Sequence, residues 1–349
     1  MLIALAGVAA VAPRPAPLVE SLYAQSRYPS LQAFVTAASN AVPFALFDVF
    51  IVVGVGSMLW WWAGAISAVW RRGAWRAVGV AVRRTAVLAA VVYLWFLLVW
   101  GLNYGRLPID VRLGLPAGAP DEREVIALLE RAVAESNREA APAHAAQGAT
   151  HHVEGAVARG IAAVDAQHGR SRATVPGRPK PTLLATYFRM AGVDGLTAPF
   201  ALETLLNPDL TPFERPFTLA HEWAHLSGHA AEADANFVAW LVTQTPDADP
   251  VTRYSGWLFL VSETSRQVPA TERTRALAAL GETPRRDLAA IARRMAARVD
   301  VVERVGWRVY DSYLKSQGVD DGLRSYSQAV SLVVRSRRAP SSPAGPMPQ

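Results

Sequence analysis

Residues 215–240 read RPFTLAHEWAHLSGHAAEADANFVAW, and this stretch decides the fold. It contains the pattern His-Glu-x-x-His. On a helix His221 and His225 are one turn apart and share a face, so both imidazoles can reach one metal ion. Glu222 sits beside the first histidine, within reach of a water on that metal, where a carboxylate serves as general base. Two neutral imidazoles leave a catalytic zinc site one protein ligand short.

The third ligand is expected just downstream. Gly228 can close the helix in a left-handed cap, and a second helix is expected to begin near Ala230. Glu232 then falls in its first turn and ranks first as third ligand, ahead of Asp234 and His229. Asn236 lies one turn beyond Glu232 on the same face, placed to bond the free edge of a ligand from outside the metal shell. The bland alternative is a helix with two solvated histidines. Acids at a helix N-terminus are also ordinary dipole chemistry. The apolar flanks PFTLA and FVAWLV, the turning glycine and the acids that follow it together favour the metal site. The metzincin pattern is not met, because its third histidine would fall at Ala231.

Upstream of the motif, NPDLTPFERPF is polar and turn-rich, so the metal helix lies outside any membrane span. Two earlier segments, about 44–70 and 85–102, are nearly uncharged and long enough to cross a bilayer. Trp60, Trp61, Trp62, Trp70, Trp95 and Trp100 supply residues suited to interfacial belts. Between the spans, 71–84 carries Arg71, Arg72, Arg76, Arg83 and Arg84 and no acid. Short Arg-rich loops stay in the cytoplasm, so the chain after the second span is expected outside it. Residues 1–12 form a short apolar segment, either signal-like or a truncated first helix. Asp48 reads as interfacial, with no role assigned.

Bulk composition agrees. Of 349 residues 51% are hydrophobic and only 18% charged, with 11 Trp, a profile of membrane-associated sequence. The net charge of +6 comes from arginines beside apolar runs, which reads as membrane orientation and argues against a nucleic-acid partner. The absence of cysteine excludes disulfides, thiolate metal sites and a cysteine nucleophile.

The expected organisation is a membrane region over 1–105, an extracytoplasmic domain over 106–335 and a disordered tail over 336–349. The fold class is mainly α, with transmembrane helices followed by a mostly helical domain with a small β element. Residues 121–170 read as two amphipathic helices joined by a flexible AAPAHAAQGAT. VPGRPKP reads as a loop, ALETLLN as a short strand, and 250–335 as mostly helix. For an oxyanion-stabilising group the candidates are Tyr254, Tyr310, Tyr313, Tyr326 and Arg324, with Tyr326 preferred. His151 and His152 are adjacent, point about 100° apart on a helix and cannot grip one ion as an i, i+4 pair does. They read as surface, as do His144 and His168.

Several stretches resemble the DUF3810-type bacterial membrane proteins: WGLNYGRLP after the last span, PFTLAHEWAH, EADANFVAWL, and VYDSYLKSQGVDDGLRSYSQAVSLV near the end. The resemblance implies membrane helices followed by a zincin-like, gluzincin-like HExxH domain, and its motif falls on His221, Glu222, His225, Glu232 and Asn236. Asn236 stands where gluzincin peptidases carry Asp, and Asp234 where Glu is common. The resulting expectation is a membrane-anchored Zn2+-dependent hydrolase, a metallopeptidase. Its partners would be the lipid bilayer and a peptide or protein substrate outside the cytoplasm. The alternative is a non-catalytic metal-binding membrane scaffold or sensor, which would need no base at Glu222.

Overall fold

The computed structural model describes residues 1–147, 150–306, 308 and 328–338. The chain is mostly helical, with one small sheet. It begins with α1 (Leu2–Val11), then α2 (Ala16–Val19), which continues into a π-helical turn over Glu20–Ala24. These two pieces meet at a bend of 119°, where Pro13 and Pro15 break the helical hydrogen-bond ladder. Arg14 spans the corner, donating from Nη2 to Ala9 O and to Tyr93 Oη. The short apolar segment of 1–12 is therefore a ten-residue helix. The helix α3 (Tyr28–Asn40) follows.

Two long helices come next, α4 (Leu46–Arg72) and α5 (Arg76–Val99). Each has an 18-residue window of mean hydropathy 1.8, long and apolar enough to cross a membrane. They mark the chain as a membrane protein that contacts the bilayer. Most of α4 faces outward, with Val52, Val53, Leu59 and Trp60 all exposed, as a lipid-facing surface must be. The expected loop over 71–84 is corrected by the structure. Only residues 73–75 connect the two helices, and Arg76, Arg83 and Arg84 lie inside α5. Gly73, at φ +60°, ends α4, whereas Gly79 is carried inside α5 without interrupting it.

After a 3-10 turn at Gly101–Gly105 and the short α6 (Ile109–Arg112), the remaining helices build a bundle. In order these are α7 (Glu122–Ala146), α8 (Thr150–Gln167), α9 (Ala185–Ala191), α10 (Arg215–Leu226), α11 (Glu232–Thr243), α12 (Pro250–Ser265), α13 (Ala270–Ala278) and α14 (Glu282–Ala296). A C-terminal helix spans Gln328–Arg338. Asp121 and Glu124 form a capping box on α7, a sequence signature of a helix start. The expected flexible joint shrinks, because α7 continues through Pro142 to Ala146. The last helix passes the expected boundary at 336 and reaches Arg338, with Arg335 paired to Asp110 and Arg338 to Glu124. Residues 339–349 lie outside the described residues.

The sheet has strand order β1-β3-β2, with β1 (Pro179–Lys180), β2 (Gly195–Ala198) and β3 (Glu203–Leu206). The strand expected in ALETLLN is β3. The loop expected at VPGRPKP carries β1, which runs parallel to β3, pairing Pro179 with Thr204. β2 pairs antiparallel, Gly195 opposite Leu206 and Ala198 opposite Glu203.

Membrane helices and sheet are tied together. Glu203 Oε1 and Oε2 accept from the backbone N–H groups of Leu46 and Phe47 at 2.9 and 2.8 Å, a carboxylate at the positive end of α4. Lys180 Nζ lies 2.6 Å from Glu203 Oε1, both side chains essentially sealed from solvent. Asp48, read as roleless, accepts from Thr182 Oγ1 and the Leu183 N–H. The β2–β3 turn is seated on the ends of the long helices: Phe200 stacks on Phe50 at 4.5 Å between centroids, and its carbonyl accepts from Trp95 Nε1 at 2.9 Å. One large apolar cluster runs from Tyr23 and Trp100 through Leu219, Ala224, Phe237 and Val242 to Val333, so the motif helix α10 lies at the centre of the core.

Candidate metal centre

The motif helix ends as its glycine requires. Gly228 takes φ +88°. Its N–H donates to His225 O at 2.8 Å, and the His229 N–H donates to Ala224 O at 3.1 Å, the paired bonds of a Schellman cap. A side chain at 228 would meet Asn103 Oδ1 and Tyr28 Cε1 at 3.0 Å. The chain therefore reverses within a few residues, and α11 begins at Glu232. The last carbonyls of α10 are occupied from the membrane side: Tyr28 Oη donates to Leu226 O at 3.0 Å and Trp100 Nε1 to His225 O at 3.3 Å.

This reversal brings three side chains together. His221 Nε2 and His225 Nε2 are 3.1 Å apart. Glu232 Oε2 lies 3.2 Å from His221 Nε2 and 3.6 Å from His225 Nε2. Among the described residues these three form the cluster able to hold a metal ion. His225 Nδ1 lies 2.7 Å from His229 O. A carbonyl only accepts, so Nδ1 carries the proton and Nε2 keeps its lone pair for the cluster. His221 Nδ1 is buried and finds no partner among the described residues. The Glu232 carboxyl, though burial alone would raise it, is held well below the usual carboxylate range by His225 and His221. It stays ionised, as a ligand must. For His225 burial pulls the imidazole down, yet the Glu232 and Glu222 carboxylates outweigh it and raise it to about 9, so a cation binding at Nε2 has to displace a proton from that nitrogen.

Glu222 stands beside this cluster and outside it. It is 3% exposed. Its Oε2 lies 2.8 Å from Thr197 Oγ1, which is equally close to the Glu222 carbonyl, so the hydroxyl fixes the side chain against its own helix. Burial pushes the Glu222 carboxyl up, against the pull of His221, His225 and Thr197. Two carboxylates thus sit in one site under opposite influences, the pattern of an ionised ligand beside a proton acceptor. Gly195 packs on Glu222: a Cβ there would meet Oε1 at 2.4 Å.

The other expected residues fall elsewhere. Asp234 turns from the cluster and accepts from Arg112 Nη2 at 3.3 Å. The His229 ring also faces Arg112, at 3.2 Å from Nδ1, so this residue serves the site through its carbonyl. Asn236 is buried on α11 and hydrogen-bonds to neither histidine. Tyr254 is buried and donates to Asp287 Oδ2 at 2.6 Å, an oxygen that His144 Nε2 also approaches at 2.9 Å. Tyr310, Tyr313, Arg324 and Tyr326 lie outside the described residues, as do the side chains of His151 and His152. His168, expected in solvent, is half-buried.

Sequence reasoning missed Thr197, Gly195 and Trp100. Only the second carried a signal, a glycine opening a short apolar run; the partners of the other two are set by tertiary packing. No curated protein and no solved structure matches this chain. Residues 23–334 match the family described as protein of unknown function (DUF3810). With a match from the first juxtamembrane turn to the last helix, the chain belongs to the DUF3810 family.

Proposed function

We propose that this protein is a membrane-anchored, zinc-dependent peptidase of zincin-like construction, working outside the cytoplasm. One observation carries the reading. The three ligand atoms stand 3.1, 3.2 and 3.6 Å apart. Tetrahedral zinc with bonds of about 2.0–2.1 Å separates its ligand atoms by roughly 3.3–3.4 Å. Two imidazoles and one carboxylate suit that ion and leave its fourth position open.

Zinc in such a site supplies Lewis acidity and lowers the pKa of water. The chain's own residues then divide the work. Glu222 takes the proton of the attacking water and returns it to the leaving amine. Thr197 orients that carboxylate through Oε2, leaving Oε1 toward Gly195. A merely structural site has no use for a buried base in this position, which favours the enzyme over a scaffold or sensor.

A peptide substrate agrees with the sheet. β2 is an outer strand and passes Glu222 at Gly195 and Thr197. An extended chain can add to a free strand edge through main-chain hydrogen bonds. The arginines at the α4–α5 junction favour a cytoplasmic junction and hence an external domain. The test is a peptide-library digest by zinc-loaded, detergent-purified protein. Wild type is expected to cleave a subset of sequences, and Glu222→Gln to cleave none while keeping its metal. Equal profiles for the two proteins would defeat the reading.

A further inference from the structure

Behind the metal helices lies a second polar cluster that the reaction above does not use. A cavity of about 60 Å³ opens between the Glu20–Ala24 turn, the segment after α5 and the end of α8. One water needs roughly 10–15 Å³ of such space, so a group of several heavy atoms fits. Arg106, Arg112 and Arg170 converge on it, together with His168, His229 and the carboxylates of Glu20 and Asp165.

The hydrogen-bond inventory of these arginines is incomplete. Arg170, with a side chain only 7% exposed, donates from Nη1 to Ser227 O and from Nε to Arg172 O. Its Nη2 is buried and finds no partner among the described residues. Arg112 is engaged from Nε with Leu107 O and from Nη2 with Asp234 and the His229 ring. An unpaired, buried guanidinium N–H is costly and calls for an acceptor. The carboxylates nearby are already engaged. Glu20 takes bonds from Arg106 Nε and Nη2 and from Gln25. Asp165 Oδ2 accepts from the Thr174 N–H and also lies 3.7 Å from Arg170 Nε, leaving the Nη2 of that guanidinium without an acceptor among the described residues. The field inside is positive where it can be read: burial first, then Arg112 and Arg106, bring His168 down to about 4.

We propose that this cavity is a binding site for a phosphate-type oxyanion, supplied either by a lipid headgroup or by free phosphate. Planar guanidinium forks match the oxygens of a tetrahedral anion in pairs. The position admits both sources. Tyr23, in the turn that lines the cavity, donates to Leu98 O at the end of α5, and Arg106 follows shortly after that helix. The cavity therefore sits at the level where the long helices end, the level of lipid headgroups. It is independent of the metal reading, since none of its donors is a metal ligand.

The test uses the full chain with two probes: inorganic phosphate by calorimetry in detergent, and nanodiscs of phosphatidylcholine with or without phosphatidic acid by thermal unfolding. Two variants place a negative charge at the cavity wall, His168→Glu and Gln25→Glu, and each is first checked for an unchanged unfolding midpoint in phosphate-free buffer. The expected result is saturable binding of at least one probe to wild type, weakened about tenfold or more in a folded variant. Phosphate binding with no response to phosphatidic acid identifies the free anion, and the reverse identifies the headgroup; each upholds the site. Failure of wild type to bind either probe, or binding by the folded variants equal to wild type, would overturn it.

Discussion

The carbonyl oxygen of His229 holds Nδ1 of His225 at 2.7 Å, and this one contact sets which nitrogen of the second histidine faces Glu232. The carbonyl is aimed by the left-handed Gly228 that precedes it. Gly228→Ala should therefore loosen the site as well as the fold. The expected cost is about 1–2 kcal/mol of stability and roughly a tenfold loss in metal affinity. Chemical unfolding and metal titration of the same preparation check both.

Gly195→Ala probes the proposed base, Glu222, instead of the proposed ligands. Its Cβ would press on Glu222 Oε1, so hydrolysis should fall by about 10²-fold or more while bound metal stays unchanged. Thr197→Val, which leaves Glu222 Oε2 without its donor, should give a smaller loss in kcat with KM little changed. A variant that sheds metal in step with activity would place Gly195 in the ligand scaffold.

The buried pair Lys180–Glu203 joins β1 and β3 to the first turn of α4. Lys180→Met leaves an uncompensated carboxylate in the core, and about 3–5 kcal/mol of stability should be lost. Glu203→Gln in the same background should recover part of it. Denaturant unfolding of the two proteins in one detergent decides.

His168 gives a pH signature. Its pKa is lowered to about 4 in the folded protein, by burial and then by Arg112 and Arg106, against about 6.5 in an unfolded chain. Between those values the unfolded state binds the extra proton, so stability falls as pH falls from about 6.5 toward 4. His168→Gln should flatten that slope relative to wild type. Parallel unfolding curves for the two across this window would refute it.

How much of this was legible in the sequence follows from the range of the interactions. The spacing of His221, Glu222 and His225, the turn at Gly228 and the first-turn position of Glu232 are local, and a helix period places them. The ranking of Glu232 over Asp234 could also be argued locally, but what turns Asp234 away is Arg112, distant in sequence. The long apolar helices were legible in kind and not in extent, because arginines at 76, 83 and 84 are compatible with helix and only Gly73 breaks it. The strands β1 and β2 were invisible: Pro179–Lys180 is two residues long, and its pairing depends on β3. Thr197 gains its role from packing against α10, and Arg170 from a cavity assembled by three separate segments.

The most direct measurement is the metal content of detergent-purified protein by mass spectrometry, after zinc-replete growth, for wild type, His221→Ala, Glu232→Ala, Asp234→Ala and Glu222→Gln. The account predicts about one zinc per chain in wild type, Asp234→Ala and Glu222→Gln, and almost none in His221→Ala or Glu232→Ala. Metal-free wild type, or zinc retained without Glu232 and lost without Asp234, would contradict it.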